Sequence, residues 1–518
     1  MDLVARVTDD GTHQLLADHV ANVSRASKRL VGRKPVQFER LSRADLSEVA
    51  RIIGATHDFG KGTTYFQRYI VPDAEYSGEE KNHASLSAYF AYYWLQQAGF
   101  DEEIALLGWY VVQRHHGNLT DLFDDGGELH RKADDPHHRS ILETQVDDIK
   151  AYTADALAEV YRPLGGGDHV DDFLEEMERG TIADELVHHR FHTQSDYELE
   201  DYYLVLFLYS VLLDTDKTDS AGISFEDWPS VGMDTLPEIE SSLVDDYKAA
   251  ALSISSELDE QRETAYNYVD ERIKSNSTDN RLLSLTMPTG SGKTLTALNA
   301  ALQRRDTAST SRPPRIIYSV PFLSIIDQNY GVYERVLGEN DIPVSPHVLL
   351  RHDHTAAGYA GNSGDSSDDV DVDLLRNPDR SLLLTEGWNA EIVTTTFVQF
   401  FETILTRRNG NARRFHKLAN AVILLDEIQA VPTKYWGPIR TALQQLTDSF
   451  GATVVLMTAT NPLLFNEGEI TELTDSSPDI SRETPSFNRF DRVTYEFDLP
   501  SLSIDELVAD VTERLEVT

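Results

Sequence analysis

The sequence predicts a multidomain chain in which an all-α domain is followed by one α/β domain built on a mostly parallel sheet. Three observations predict it. Up to about residue 235, apolar residues recur at three- and four-residue spacing, the period of helices with one face on a core. From residue 281 onward, short runs rich in Val, Ile and Thr alternate with helical segments, the order that buries a parallel sheet under helices. At the start of that second part stands LLSLTMPTGSGKT, Leu282 to Thr294, where an apolar run enters a Gly and Ser turn and a helix begins at once. The 518 residues exceed one core, and 40% hydrophobic content is enough to bury several. The divisions expected are 1–235, a connector over 236–280, and 281–518.

Composition narrows the setting. The chain has 87 acidic and 46 basic residues, a net charge of -41, and that balance taken alone argues against a nucleic-acid partner. The acidic residues are spread along the sequence instead of gathered in a tail. Such a surface stays hydrated in a salt-rich cytoplasm, where repulsion is screened within about 3 Å at 1 M salt, so a halophilic archaeal source is expected. Without cysteine there are no disulfides or thiolate metal sites, and any metal must use imidazole and carboxylate. No signal peptide or run of about 18 apolar residues occurs, which predicts a cytoplasmic protein with no membrane partner.

In the first domain HQLLADHVANVSRAS, DLSEVARIIGATHDFG, HASLSAYFAYYWLQQAG, DEEIALLGWYVVQRHHG and DYYLVLFLYSVLLDTDKTDS read as helices. DLFDDGGELHRKADDPHH and RPLGGGDHVDDF read as surface loops with no catalytic role. Residues 221–281 read as a connector with Pro229 and Pro237 that ends in a helical stretch, SISSELDEQRETAYNYVDERIK. The acidic, low-complexity segment from Gly358 to Asp373 reads as a mobile loop.

Candidate metal ligands sit at the ends of those helices. His57 and Asp58 close the second one, after an apolar face of Val49, Ile52 and Ile53, and offer two adjacent ligands to one cavity. A His-Asp pair is weak evidence by itself, since His352 and Asp353 form another in a polar stretch. Its company raises it. His19 lies in an earlier amphipathic helix, His83 starts a later one, His115 and His116 close a hydrophobic one, and Asp216 ends another. Ligands at the ends of packed helices converge in helical metal sites. His115 is preferred to His137 because LLGWYVVQR ties it to the core, whereas His137 follows Asp134, Asp135 and Pro136 in a loop. His188 and His192, one helical turn apart, are the rival ligands.

In this order, His, then HD, then His, then HH, then Asp, the set resembles the HD phosphohydrolase superfamily. The resemblance implies that His19, His57, Asp58 and Asp216 hold one cation and that Asp58 bridges to a second held by His83, His115 and His116. Two such cations, about 4 Å apart, would activate a water and stabilise charge on a phosphodiester. Lys61 matches the HDxGK form of the motif and is expected to contact the phosphate. His and carboxylate ligands suit Mn, Fe, Co, Ni or Zn, with Mg as a further option.

The stretch from Leu282 to Thr294 has the chemistry of a phosphate cradle. Gly290 and Gly292 let backbone N–H groups curl around phosphate oxygens at the positive end of a new helix. Thr289 and Ser291 complete the loop, Lys293 would reach the β- and γ-phosphates of ATP, and Thr294 would hold Mg²⁺. The usual opening Gly is replaced by Met287. RIIYSVP, EIVTTTF, AVILLDE and ATVVLMTAT read as strands. Asp426 and Glu427 end the third, expected beside the strand that feeds the cradle, with Asp426 on Mg²⁺ through water and Glu427 orienting the attacking water. MTAT, Met457 to Thr460, follows the next strand and offers Thr458 and Thr460 as hydroxyl donors that couple hydrolysis to movement along DNA.

SVPFLSIIDQ (Ser319 to Gln328), WNAEIVTTTFVQFFETIL (Trp388 to Leu405) and HKLANAVILLDEIQAVP (His416 to Pro432) look like the CRISPR-associated helicase-nucleases of type I interference systems. In that family an HD nuclease precedes a superfamily-two helicase with RecA-like domains, and this superfamily often lacks the Gly that Met287 replaces. The resemblance covers nearly the whole chain. It implies recruitment to a guide-RNA surveillance complex of the Cascade type, then nicking and ATP-driven 3′ to 5′ degradation of single-stranded DNA. Base pairing reads the sequence in such systems, so no base-reading motif is expected. The chain stops at Thr518 within SLSIDELVADVTERLEVT, and a second RecA-like domain is expected to be absent or supplied by a separate chain. Without its arginines, worth roughly 10³ or more in rate, ATP binding with little hydrolysis is expected. Two other classes compete: a non-catalytic DNA- and ATP-binding subunit, and an HD phosphohydrolase of small nucleotides.

Overall fold

The computed structural model describes residues 2–7, 11–70, 76–123, 127–189, 197–223, 239–308, 312–345, 348–352, 386–459, 464–466 and 468–474. Pro229, Pro237, His192, Asp353, Thr460, the segment from Gly358 to Asp373 and the terminal SLSIDELVADVTERLEVT lie outside the described residues. Among the described residues, no helix is long and apolar enough to cross a membrane.

Among its described residues the first domain is helical apart from one short hairpin, β1 (Val4–Val7) and β2 (His13–Leu15). Its helices are α1 (Leu16–Gly32), α2 (Arg43–Thr56), α3 (Thr64–Tyr69), α4 (Ala84–Gln97), α5 (Glu102–Gln113), α6 (Pro136–Tyr152), α7 (Ala154–Tyr161), α8 (Gly167–Arg179), α9 (Thr181–His188) and α10 (Leu199–Ser220). The expected first helix therefore starts three residues late, because His13, Gln14 and Leu15 pair with β1. Capping fixes other starts: the Ser42 side chain accepts from the Asp45 N–H, and Asp101 accepts from Ile104. α10 is buried nearly all round and runs through the centre, as a helix with no polar face must.

The two stretches expected to be surface loops are partly helical. In DDPHH, the Asp135 side chain accepts from the His137 N–H and Pro136 occupies the first helical position, a start signal for α6. In RPLGGGDHVDDF, Gly165 takes a left-handed φ of 85° that ends a short 3₁₀ turn, and α8 then buries Val170, Phe173 and Leu174.

In the second domain α11 (Leu243–Ala251) and α12 (Glu257–Ser275) precede β3 (Leu282–Thr286), α13 (Lys293–Asp306), β4 (Ile316–Val320), α14 (Leu323–Glu339) and β5 (Leu349–His352). There follow β6 (Ile392–Thr396), α15 (Phe397–Ile404), α16 (Asn409–Ala412), β7 (Val422–Asp426), α17 (Trp436–Asp448), β8 (Thr453–Thr458) and β9 (Thr471–Glu472). The sheet order is β5-β6-β4-β7-β8-β3-β9, with every pairing parallel. β7 thus does not lie beside β3, contrary to expectation. β8 stands between them, pairing Leu285 with Met457 on one side and Asp426 with Met457 on the other. His352, expected in a polar stretch, is buried on β5, where Arg414 lies 3.1 Å from its Nε2 and Trp388 packs edge-on.

Alternation along the strands divides the sheet into two faces. Ile316, Tyr318, Leu424 and Val455 pack with α11 to α14, so these first helices belong to the α/β core. Ile317, Val393, Ile423 and Leu456 face the other way and join a core continuous with that of the helical domain. The two domains share apolar packing along α10, where Tyr203 and Phe207 meet Phe415 and Phe450.

Candidate metal centre and nucleotide site

The structure brings His19, His57, Asp58, His83, His115, His116 and Asp216 into one buried place. His19 comes from the middle of α1, while His57 and Asp58 directly follow α2. His83 precedes α4, His115 and His116 lie in the turn after α5, and Asp216 projects from α10. Gly60 permits the convergence, because a Cβ there would lie 2.5 Å from the His83 carbonyl oxygen.

Asp58 divides the site in two. Its Oδ2 lies 3.1 Å from His19 Nε2 and 3.4 Å from His57 Nε2, and these imidazoles lie 3.3 and 3.7 Å from Asp216 Oδ1. Its Oδ1 faces the other set, at 3.1 Å from His83 Nε2 and 3.8 Å from His115 Nε2, with His116 Nε2 a further 2.7 Å from His83 Nε2. Neither Asp58 oxygen, nor Nε2 of His115, has a hydrogen bond of normal geometry although all are buried. Buried polar atoms without partners are rare and costly, and a cation between these donors would satisfy them. The residues therefore fit two cations bridged by one carboxylate. Lys61 Nζ stands 2.7 Å from Asp58 Oδ2 at the same place.

Three of the imidazoles, those of His19, His57 and His115, are aimed by their second nitrogen, the device that orients metal-binding histidines. His57 Nδ1 bonds the Gly54 carbonyl at 2.9 Å and His115 Nδ1 bonds that of Val112 at 2.6 Å. For His19 the partner is Asp219 Oδ2 at 2.6 Å, an orienting residue that sequence reasoning missed. Its signal was present, for Asp219 lies three residues after Asp216 on the same face of α10. Of the rival ligands, His188 bonds the Asp184 carbonyl and His192 lies outside the described residues; His137, the alternative to His115, pairs with Glu79 at the surface.

The halves differ in charge. Burial alone would strip the proton from His57, but the Asp58 charge and the Asp216 contact outweigh it and raise it to about 9. His19 is raised likewise, burial being overcome by Asp216, Asp219 and Asp58. Burial followed by repulsion from His57 and His83 pushes His115 down to about 3, and His83 and His116 are also lowered by burial. Asp58 and Asp216 are held well below the carboxylate range because the imidazoles overcome the cost of burying their charge.

At the nucleotide site, β3 ends in the cradle and Gly292, with φ of 90°, caps α13. Thr289 and Gly290 are exposed at the turn, and the Ser291 hydroxyl donates to the Pro288 carbonyl at 2.7 Å. Lys293 reaches across the intervening β8 to Glu427 Oε1 at 2.6 Å and Asp426 Oδ1 at 3.3 Å. Glu427 adopts φ of 56°, a left-handed conformation that costs a non-glycine residue about 1 kcal/mol or more and collects at functional sites. Thr294 bonds Asn329 at 3.3 Å, Asn329 donates to the Tyr318 hydroxyl at 2.8 Å, and Tyr318 donates to Asp426 Oδ2 at 2.5 Å. Thr458 donates to Gln429 Oε1 at 2.8 Å, and Gln429 donates in turn to Glu427.

The chain thus carries a histidine and carboxylate centre in a helical domain ahead of a helicase-type α/β domain. Residues 5–171 match the HD-domain family of Cas3 and residues 255–463 match the res subunit family of type III restriction enzymes. The chain therefore carries a Cas3-type HD domain followed by a helicase-type domain, the order found in CRISPR-associated nuclease-helicases, to which it is similar. The CRISPR-associated nuclease/helicase Cas3 of Haloferax volcanii is 28% identical over 488 residues, 91% of this chain and 50% of that one. The crystal structure of T. fusca Cas3 with AMPPNP is 19% identical, with a TM-score of 0.48, and covers 89% of this chain and 50% of its own. A CRISPR RNA-guided surveillance complex before nicking gives 18% identity and a TM-score of 0.42, over 89% of this chain and 48% of that one. The chain spans about half the length of the curated relative it matches.

Proposed function

We propose that this chain is a metal-dependent nuclease of single-stranded DNA joined to an ATP-binding helicase module. It would act in CRISPR interference on DNA marked by a guide-RNA surveillance complex, with movement along the strand running 3′ to 5′. The observation that carries the reading is the divided Asp58, which turns one oxygen to His19 and His57 and the other to His83 and His115.

His19, His57, Asp58 and Asp216 would hold one cation, and His83, His115 and His116, with Asp58 shared, the other. Cations so held lower the pKa of a water toward neutrality and offset the charge that builds on a phosphodiester. The chain's own residues do the rest. His57 and His115, tied to backbone carbonyls, keep their Nε2 atoms fixed on the centre. His116 is only partly buried, so the scissile strand would enter on its side. Lys61, held beside Asp58, would turn its ammonium to a phosphate oxygen. At the second site Lys293 and Thr294 would bind the phosphates and Mg²⁺ of ATP, Asp426 and Glu427 would position Mg²⁺ and water, and Thr458 would couple that pair to strand movement. Mn, Fe, Co and Ni suit the donor set.

The test is cleavage of circular single-stranded DNA by the purified chain with Mn²⁺ or Mg²⁺ in high KCl. Wild-type protein should linearise it and Asp58→Ala should not. Release of phosphate from free nucleotides with the circles left intact would assign the centre to small substrates. Uncut circles with every metal would leave only a binding subunit.

A further inference from the structure

The metal centre belongs to the first domain, yet one side chain of the second reaches the backbone that carries it. Asn409 opens α16, in the segment between β6 and β7. Its Nδ2 donates to the carbonyl oxygen of His115 at 3.1 Å and to the Tyr209 hydroxyl at 3.2 Å. Its Oδ1 accepts from Lys217 Nζ at 2.9 Å, and its backbone N–H donates to Oδ1 of Asn118 at 3.0 Å. A carboxamide has two N–H bonds and one carbonyl, and all of these point at groups of the first domain.

Each partner adjoins a candidate ligand. His115 is one itself, Asn118 lies two residues beyond His116, and Lys217 follows Asp216. Tyr209 faces the carbonyls of Arg114 and Gly117, which bracket the His115–His116 pair. The contact continues one turn away, where the Leu119 N–H donates to the Arg407 carbonyl at 2.8 Å. Surface complementarity between domains does not require one residue to join the turn after α5 to α10 beside Asp216; fixing the spacing of those two elements does.

We propose that Asn409 is a positioning residue of the metal centre. It clamps the turn of His115 and His116 against α10, so the second domain sets the spacing of the ligands around Asp58 Oδ1. The same segment runs on through Arg413 and Lys417 into β7. The inference rests on the two-cation reading of the centre.

Mn²⁺ titration of the full chain in high KCl, followed by electron paramagnetic resonance, tests it. Asn409→Asp keeps the shape and the acceptor for Lys217 but removes both donors. Wild type should bind two ions and show their exchange-coupled spectrum. In Asn409→Asp one of the two should bind about tenfold more weakly, the lower end of the effect of losing an orienting partner, and the coupled spectrum should fade. ATP affinity and the melting temperature of the metal-free chain should stay at their wild-type values. Asn409→Ala should do at least as much to the ion. Two wild-type affinities in Asn409→Asp would overturn the proposal, as would an equal fall of both ions together with the melting temperature. A wild-type chain that binds no Mn²⁺ would overturn the cation reading itself, which separates the two failures.

Discussion

The metal centre and the nucleotide site both present a buried carboxylate oxygen with no hydrogen bond, on Asp58 in one and Asp426 in the other, but they are prepared for their ligands in opposite ways. At the metal centre the donors arrive from elements spread between residues 19 and 216, and most rings are fixed by their second nitrogen. Little must move for a cation to enter beyond the protons on His19 and His57. At the nucleotide site the key cation is already spent internally. Lys293 lies on Glu427 at 2.6 Å, and Glu427 holds a left-handed backbone to meet it. Phosphates would have to draw Lys293 off that pair, and Glu427 would then be released toward Gln429 and Thr458.

The largest effect that could break this contrast is Lys293→Ala. It should lower ATP affinity at least tenfold, about 1.4 kcal/mol, measured with a fluorescent ATP analogue. Mn²⁺ affinity should be unchanged. If metal affinity falls with it, the two sites are not prepared independently.

Asp219→Asn sharpens the other side. Asp219 accepts from His19, from Gln14 at 2.7 Å and from Asn22 at 2.9 Å, so the amide leaves His19 free to turn. Loss of such an orienting partner costs a metal site tenfold to a hundredfold in affinity. Calorimetric titration with Mn²⁺ should show that loss on the ion of His19 and His57 alone. An unchanged isotherm would mean that packing, not Asp219, aims the ring.

How far either site could be read from the sequence follows from the same contrast. The nucleotide site is contiguous at its centre, so Thr289 to Thr294 announce themselves, as do Asp426 and Glu427 at the end of an apolar run. Its neighbours were not legible. Sheet order is a tertiary property, and nothing in AVILLDE tells that β8 separates it from β3. Tyr318 and Asn329 look like ordinary strand and helix residues until Asp426 is placed beside them. The candidate metal ligands were legible only as an ordered set at helix ends, whereas Asp219 and Asn409 contact ring and backbone groups in ways that leave no motif. In the helical domain, α6 was hidden because DDPHH was weighed as acidic polarity instead of as a cap followed by Pro at the first helical position.

The smallest effect concerns the seam that joins the two regions. Asp214 on α10 lies 2.9 Å from Arg413 Nε, 2.8 Å from Lys417 Nζ and 3.3 Å from His416 Nε2, and His416 also meets Ser210. Burial, then repulsion from Lys417 with a lesser share from Lys34, pushes His416 down to about 3 against the pull of Asp214. In the unfolded chain this imidazole takes its proton near pH 6.5, so as pH falls the unfolded state binds the proton first. Its contribution to stability is therefore complete above about 6.5 and is lost progressively as pH falls toward about 3. Melting temperatures in high KCl from pH 7 to pH 4 should fall less steeply for His416→Gln than for wild type, since glutamine does not titrate. Parallel curves would show that the imidazole is protonated in the folded seam, and the shared core between the sites would then rest on a cluster of three cations around Asp214, His416 with Arg413 and Lys417.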